Sequence, residues 1–312
     1  MKGKVLILDR VHDRFKEILP ELGFQIEEEY LASEKEINWS AYSGLVLRSR
    51  MPMHAELLEK ATQLKFIARV GAGLENIDLE KAQELGIEVL AAPEGNRHAV
   101  GEHALGMLLA LNNRLIIADS EVRKGMWLRE ENRGFELKDK TIGIIGYGAM
   151  GSAFASKLRG LDCRVIAYDK YKQGYGNSQV EECSLEELQQ EADIISIHLP
   201  QNSETLFYVD QDFIDACQKQ IVLINTARGK IVRIAAVVEA LKTGKIRGAC
   251  LDVLEYEKSS FENLVQEGST DDFEYLLQSN KVILSPHIAG WTFESQERMA
   301  EVLLQKIAKL NL

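Results

Sequence analysis

A chain of 312 residues is too long for one ordinary domain and short for three, so two domains of roughly 100 to 200 residues each are expected. With 46% apolar and 27% charged residues it has the composition of a folded globular protein, which excludes disorder, and no apolar run suggests a membrane span. A net charge of -11, from 37 basic and 48 acidic residues, repels phosphate backbones and anionic lipid, so neither nucleic acid nor a membrane is an expected partner, and any local arginine cluster gains interest as an anion site.

The opening MKGKVLILDR reads as a first strand rather than an export signal, and Cys163, Cys183, Cys217 and Cys250 lack any C-x-x-C spacing. Both observations lead to the expectation of a cytoplasmic protein with free thiols. Short β-branched runs at 5–9, 44–48, 66–70 and 87–91, then at 141–146, 164–169, 192–198, 221–225, 249–253 and 281–285, alternate with helical stretches. That alternation predicts an α/β fold with mostly parallel strands, and the number of runs predicts two sheets. Pro93, Gly95 and Asn96 punctuate the chain ahead of a long helix from 100 to about 119, with Leu105, Leu108, Leu109 and Leu115 on its buried face, which places a domain boundary near residue 95. The stretch 257–280 is long, acidic and serine-rich, and reads as a surface excursion with a short helix. The end, 292–312, reads as an amphipathic helix with Met299, Val302, Leu303, Ile307 and Leu310 at helical spacing.

The segment TIGIIGYGAMGSAFASKL sets Gly146, Gly148 and Gly151 in G-x-G-x-x-G order between an apolar strand and a helix, the context in which that string binds a dinucleotide. Gly146 would permit the turn, Gly148 the approach of a pyrophosphate, and Gly151 close packing of helix on strand. The free N–H groups and positive dipole of the helix N-terminus then face the phosphates. Asp169 closes the following strand, VIAYD, where a carboxylate accepts from ribose hydroxyls and repels a 2'-phosphate, so NAD is expected over NADP, a preference slightly weakened by Lys170 and Lys172.

Three more segments end strands, where open α/β sheets hold their ligands: INTARG with Arg228, LDVLEYE with Asp252 and Glu257, and LSPHIAGW with His287. Together with the glycine motif they resemble the D-isomer-specific 2-hydroxyacid dehydrogenases, especially the D-3-phosphoglycerate dehydrogenase branch, over nearly the whole chain. The resemblance implies a Rossmann-type doubly wound domain at 95–289 and a smaller flavodoxin-like α/β substrate domain at 1–94 and 290–312. It implies a hydride moved between NAD and C2 of a D-2-hydroxy or 2-keto acid, with D-3-phosphoglycerate and 3-phosphohydroxypyruvate, a step of serine biosynthesis, as the best expectation.

By the same resemblance Arg228, Glu257 and His287 match the catalytic arginine, glutamate and histidine. The chemistry suits them: an imidazole gives and takes protons near neutral pH, a carboxylate on its far nitrogen fixes the tautomer and favours the protonated ring, and a planar guanidinium grips the substrate carboxylate and polarises the C2 oxygen. Ala149, Met150, Leu199, Thr226, Ala227, Asp252 and Gly290 match further cofactor contacts, and Val100 matches a residue facing the nicotinamide. Gly101 stands where relatives more often have alanine. His198 is read as structural.

On the substrate side, RVGAGLENID supplies Gly71, Ala72 and Gly73, whose amides would hold the substrate carboxylate as an anion nest, with Arg69 before them and Asn76 and Asp78 matching positions that stabilise the loop. LRSRMP supplies Arg48 and Arg50, set by strand alternation on one face, where the phosphoglycerate branch meets its phosphate. His98 and His103 have a poor metal spacing and no metal is expected. The stretch VRKGMWLREENRGFELKDKT resembles the family's dimerisation arm, so a homodimer through 118–140 anchored by Trp127 is expected.

Lys258 follows Glu257 where relatives commonly have proline, which leaves Glu255 as the alternative. The chain stops at Leu312 without room for a C-terminal regulatory domain, so serine feedback through one is not expected. Trp291 would suit a smaller acid, which keeps a glyoxylate or hydroxypyruvate reductase as the alternative within the enzymes. An NAD-sensing corepressor-like binding protein is the alternative from another class.

Overall fold

The computed structural model describes residues 2–257 and 271–310, so the acidic stretch 258–270 lies outside the described residues. The described chain divides into two compact units, residues 2–97 with 291–310 and residues 98–257 with 271–290.

The first unit contains β1 (Lys4–Ile7), α1 (Arg14–Glu21), β2 (Gln25–Glu28), β3 (Gly44–Leu47), α2 (Ala55–Lys60), β4 (Phe66–Arg69), α3 (Leu79–Glu84) and β5 (Glu88–Ala91). Its five strands are all parallel in the order β2-β1-β3-β4-β5, the flavodoxin-like order. Side chains alternate across the sheet as the pleat requires. Leu6, Leu45, Leu47 and Ile67 enter one core with Trp39, Met53 and Leu57, while Val5, Ile7, Val46, Phe66 and Ala68 enter the other with Phe15 and Leu19. The C-terminal helix α11 (Phe293–Ala308) joins this second core through Met299, Leu303 and Ile307, and is started by a Thr292–Ser295 capping box.

Near residue 95, where the chain passes from the first unit to the second, the helix is not interrupted. The helix α4 runs Pro93–Asn112, so Pro93 is its first residue, where a missing N–H costs nothing, and Gly95 and Asn96 lie inside it. Gly95 is required there because a Cβ would lie 2.6 Å from the Met299 backbone N. Nor does the helix continue to 119. Arg114 turns left-handed at φ 52°, and a new helix, α5 (Leu115–Arg123), starts after it and leaves Leu115 exposed rather than buried. The break coincides with a returning segment whose Phe135 amide donates to Asn112 O at 3.0 Å.

The second unit adds β6 (Thr141–Ile145), α6 (Ala149–Lys157), β7 (Arg164–Tyr168), β8 (Glu181–Glu182), α7 (Leu185–Glu191), β9 (Ile194–Ile197), α8 (Gln211–Ala216), β10 (Ile221–Asn225), α9 (Ile234–Thr243), β11 (Ile246–Leu251), α10 (Asp271–Gln278) and β12 (Val282–Leu284). Its seven parallel strands run β8-β7-β6-β9-β10-β11-β12, the doubly wound dinucleotide-binding order with one strand added. The order reverses between β6 and β9, and at such a switch point the strand ends open a crevice for a ligand. The polar edge strands β2 and β8 have no counterpart in the apolar runs of the sequence.

Candidate active site

In the second unit the strand ends carry the chemistry. β6 delivers the chain into the glycine loop, where Gly146 adopts φ +90° and a Cβ on it would lie 2.6 Å from His198 O. A Cβ on Gly151 would lie 2.1 Å from Gly146 O, so α6 packs on the loop at a distance only glycine allows. Gly148 differs: nothing lies within 4 Å of where its Cβ would be, which leaves open space at the N-terminus of α6, started by Ala149 and Met150. One more glycine has the same kind of reason, since a Cβ on Gly101 would lie 3.0 Å from the Ala153 backbone where α4 meets α6.

Asp169 follows β7, and its carboxylate accepts the amides of Tyr147 at 2.8 Å, Tyr171 at 3.0 Å and Lys172 at 3.1 Å. It is thereby fixed beside the glycine loop with capacity left on a group that can accept about four hydrogen bonds. Neither neighbouring lysine is a loose cation. Lys170 Nζ lies 2.8 Å from Glu204 Oε2, and Lys172 Nζ donates to Tyr147 O at 3.1 Å. Leu199, just past β9, has its Cδ2 3.2 Å from the place of a Gly146 Cβ. Thr226 and Ala227 follow β10, and Thr226 Oγ1 is buried without a hydrogen-bond partner. Open space at Gly148 before the N-terminus of α6, a fixed carboxylate and an unsatisfied hydroxyl together fit a dinucleotide.

Arg228 ends the same loop in extended conformation, with Asn225 bracing it: Asn225 Nδ2 donates to Arg228 O at 3.0 Å and Asn225 Oδ1 accepts the Ala227 amide at 3.0 Å. Its Nη1 donates to Ala227 O at 2.6 Å. Past β11, the turn 254–257 presents Glu257, whose Oε1 accepts the Leu254 amide and whose Oε2 lies 2.6 Å from His287 Nδ1. Glu255 faces elsewhere: its Oε1 accepts the Ile234 amide at 2.8 Å, at the N-terminus of α9. Glu257 is thus the carboxylate that meets the histidine.

His287 itself sits at φ +56°, a left-handed conformation that a side chain with a Cβ rarely adopts. The turn around it is tied to Asp252, which is 1% exposed. Asp252 O accepts the His287 amide at 2.8 Å, and its carboxylate accepts Ile288 N and Ala289 N, each at 2.9 Å, and the Ser285 hydroxyl at 2.6 Å. Burial pushes the Asp252 carboxyl upward, but hydrogen bonds from His103, Ser285, Ala289 and Ile288 outweigh it and hold the group below the usual carboxylate range. In the sequence His103 stands out only through its metal-unlike spacing from His98, and Ser285 only as the residue two before His287. Val100 is buried on α4, and Gly290 follows the turn.

In the first unit Gly71 follows β4 at φ +154°, and a Cβ on it would clash with Arg69 Nη1 at 1.4 Å, so the loop 71–73 requires glycine at its start. Asn76 Nδ2 donates to Arg48 O at 3.2 Å, and Asp78 caps α3 by accepting the Lys81 amide at 2.9 Å. Arg48 and Arg50, expected as a pair on one strand face, lie past the end of β3 and do different things. Arg50 spends Nε, Nη1 and Nη2 on the carbonyls of Leu8, Ala32 and Glu29, a strut for its own unit, whereas the Arg48 guanidinium lies 3.7 Å above the Trp291 ring.

A seven-stranded sheet of dinucleotide-binding order, with a glutamate–histidine pair at its strand ends, defines the class of doubly wound dinucleotide-binding proteins. Residues 105–289 match the family model described as D-isomer specific 2-hydroxyacid dehydrogenase, NAD binding domain. The chain is 32% identical over 98% of its length to a D-3-phosphoglycerate dehydrogenase of Archaeoglobus fulgidus, and 35% identical over 85% of its length to a hydroxypyruvate reductase of Thermotoga maritima. It spans 83% of the Thermotoga protein but only 57% of the Archaeoglobus one. Its fold matches a D-lactate dehydrogenase from Aquifex aeolicus, solved with NAD and lactic acid, at a TM-score of 0.83 with 29% identity, over 98% of this chain and 94% of that one. The chain belongs to the D-isomer specific 2-hydroxyacid dehydrogenase family. Among the described residues no helix is long and apolar enough to cross a membrane, and no cluster of His, Cys, Asp and Glu is suited to hold a metal ion.

Proposed function

We propose that the protein interconverts a 2-keto acid and its D-2-hydroxy acid, reduction consuming NADH and a proton and oxidation consuming NAD, with 3-phosphohydroxypyruvate and D-3-phosphoglycerate as the pair. The observation that carries the reaction is the 2.6 Å contact between Glu257 Oε2 and His287 Nδ1. With Nδ1 on the carboxylate, Nε2 is the ring nitrogen that exchanges a proton with the C2 oxygen in this reading. NAD, when bound, supplies the hydride acceptor or, reduced, the donor at C2. In reduction, His287 gives its proton to the carbonyl oxygen as that oxygen gains charge, and Glu257 stabilises the imidazolium before transfer. In oxidation, His287 takes the hydroxyl proton. Arg228 binds a carboxylate and polarises the C2 oxygen, and in the first unit the amides of Gly71, Ala72 and Gly73 form a nest suited to a carboxylate.

NAD is held by Gly146, Gly148, Ala149, Met150 and Gly151 at its pyrophosphate, by Asp169 at the adenosine ribose, and by Val100, Leu199, Thr226, Ala227, Asp252 and Gly290 around the nicotinamide half. The second unit is then the NAD-binding domain and the first the substrate domain. Support for the phosphorylated acid comes from Arg48 and from relatives named for it. A smaller acid such as hydroxypyruvate is the second reading, favoured because Arg50 is committed to three carbonyls and Trp291 covers a face of Arg48. Rates with 3-phosphohydroxypyruvate, hydroxypyruvate, glyoxylate and pyruvate, each with NADH, decide between them. A kcat/KM highest for 3-phosphohydroxypyruvate supports the first reading, and one at least about tenfold higher for an unphosphorylated acid replaces it.

We also infer a homodimer through 118–140, supported by exposed Val122, Met126, Trp127, Leu128 and Phe135 on and after α5. Sedimentation of wild type against Trp127→Glu tests it, with dimer turning to monomer as the expected result. Four free cysteines support a cytoplasmic home.

A further inference from the structure

We propose that His103, on α4, is a positioning residue for His287, acting through the Ser285 hydroxyl and the buried Asp252 carboxylate. The inference rests on the reading of His287 as the acid/base. His103 Nε2 lies 2.9 Å from Ser285 Oγ and 3.5 Å from Asp252 Oδ1. A serine hydroxyl has one proton, and here it goes to Asp252 Oδ1 at 2.6 Å. The hydroxyl oxygen therefore accepts from His103, which sets that ring as the Nε2–H tautomer. The result is a chain of donors with one direction, ring to hydroxyl to carboxylate, in which each bond strengthens the next.

The carboxylate at the end of the chain fixes the turn that carries His287. Its oxygens accept Ile288 N and Ala289 N, the two amides that follow the histidine, each at 2.9 Å, and its own carbonyl accepts the His287 amide at 2.8 Å. These bonds hold His287 at φ +56°, a conformation that persists only where its surroundings impose it. Without His103 the Ser285 hydroxyl has a competing acceptor, Met107 Sδ at 3.7 Å, and rotation toward it takes the 2.6 Å donor off Asp252. The carboxylate then tilts, the amides of 288 and 289 follow, and the imidazole leaves the line of proton transfer. A displacement of about 1 Å at a reacting group lowers turnover about 100-fold.

The test uses the full chain with the acid that reacts fastest, and measures kcat per cofactor-binding site, with sites counted by NADH fluorescence titration so that unfolded material does not enter. His103→Leu removes the donor, and His103→Gln restores an N–H near the place of Nε2. The expected result is a kcat lower by about 10- to 100-fold in His103→Leu and within about threefold of wild type in His103→Gln. A His103→Leu kcat within about twofold of wild type, or a His103→Gln kcat as low as that of His103→Leu, overturns the proposal. Should His103→Leu fail to fold, Ser285→Ala against Ser285→Thr makes the same comparison, with loss in the first and retention in the second. His287→Ala separates the two levels: if it turns over normally the acid/base reading falls, whereas if it is inactive while His103→Leu is normal, only the positioning role falls.

Discussion

Glu257 bridges two partners, with one carboxylate oxygen on His287 Nδ1 at 2.6 Å and the other on the Leu254 amide at 2.6 Å. Glu255, two residues earlier, spends its carboxylate on the N-terminus of α9 instead. The two acids should therefore fail differently. Glu257→Gln keeps a hydrogen-bonding group but loses the charge that stabilises the imidazolium, so kcat should fall by about 100-fold with little change in melting temperature. Glu255→Gln should cost about 1 kcal/mol of stability and leave kcat near wild type, because it weakens a helix start. Steady-state kinetics and thermal melts on both variants check this, and the opposite pattern would return the catalytic role to Glu255.

The arginines after β3 should also separate. Arg50 makes three hydrogen bonds to the carbonyls of Leu8, Ala32 and Glu29, so Arg50→Ala leaves three acceptors unpaired and should destabilise the protein by on the order of 3 kcal/mol. Arg48 stacks on Trp291, and Arg48→Ala should lower kcat/KM for 3-phosphohydroxypyruvate by at least about tenfold relative to hydroxypyruvate. Equal loss on both acids would remove Arg48 from phosphate recognition.

These two cases show what the sequence made legible. Strands buried on both faces, such as Ile221–Asn225, announce themselves as apolar runs, and the glycines and strand-end residues fall at fixed places on them. The edge strands Gln25–Glu28 and Glu181–Glu182 are polar because one side faces water, so no run marks them. Alternation put Arg48 and Arg50 on one face, but β3 ends at Leu47, and beyond a strand alternation no longer sets direction. The His103–Ser285–Asp252 chain joins residues up to 182 apart, and no local pattern encodes such a meeting.

On the proposed reading that Asp169 meets the adenosine ribose, cofactor choice follows from the charge around that carboxylate. Asp169 is held by three amides, Lys170 is paired with Glu204, and Lys172 is tied to Tyr147 O, so the local field disfavours a 2'-phosphate. Wild type should bind NADH more tightly than NADPH in a fluorescence titration. Asp169→Ser should tighten NADPH by at least about tenfold, and adding Glu204→Gln, which releases Lys170, should tighten it further. If NADPH binding were unaffected by both changes, selection would have to reside outside this loop.

His198 provides a pH dependence of stability separate from catalysis. Its Nε2 meets Ser196 Oγ at 2.8 Å, its Nδ1 is buried without a partner, and burial pushes the imidazole from an ordinary 6.5 down to about 3. The unfolded chain therefore takes up a proton below about pH 6.5 that the folded chain refuses until about pH 3. Stability from this group is full above pH 6.5 and is lost as pH falls through that window, at about 1.4 kcal/mol per unit. His198→Gln keeps an amide for Ser196 and does not titrate, so between pH 7 and pH 5 wild type should lose about 2 kcal/mol more than the variant. Melting curves of both at the two pH values read the difference directly, and parallel losses would mean that His198 is protonated in the folded protein.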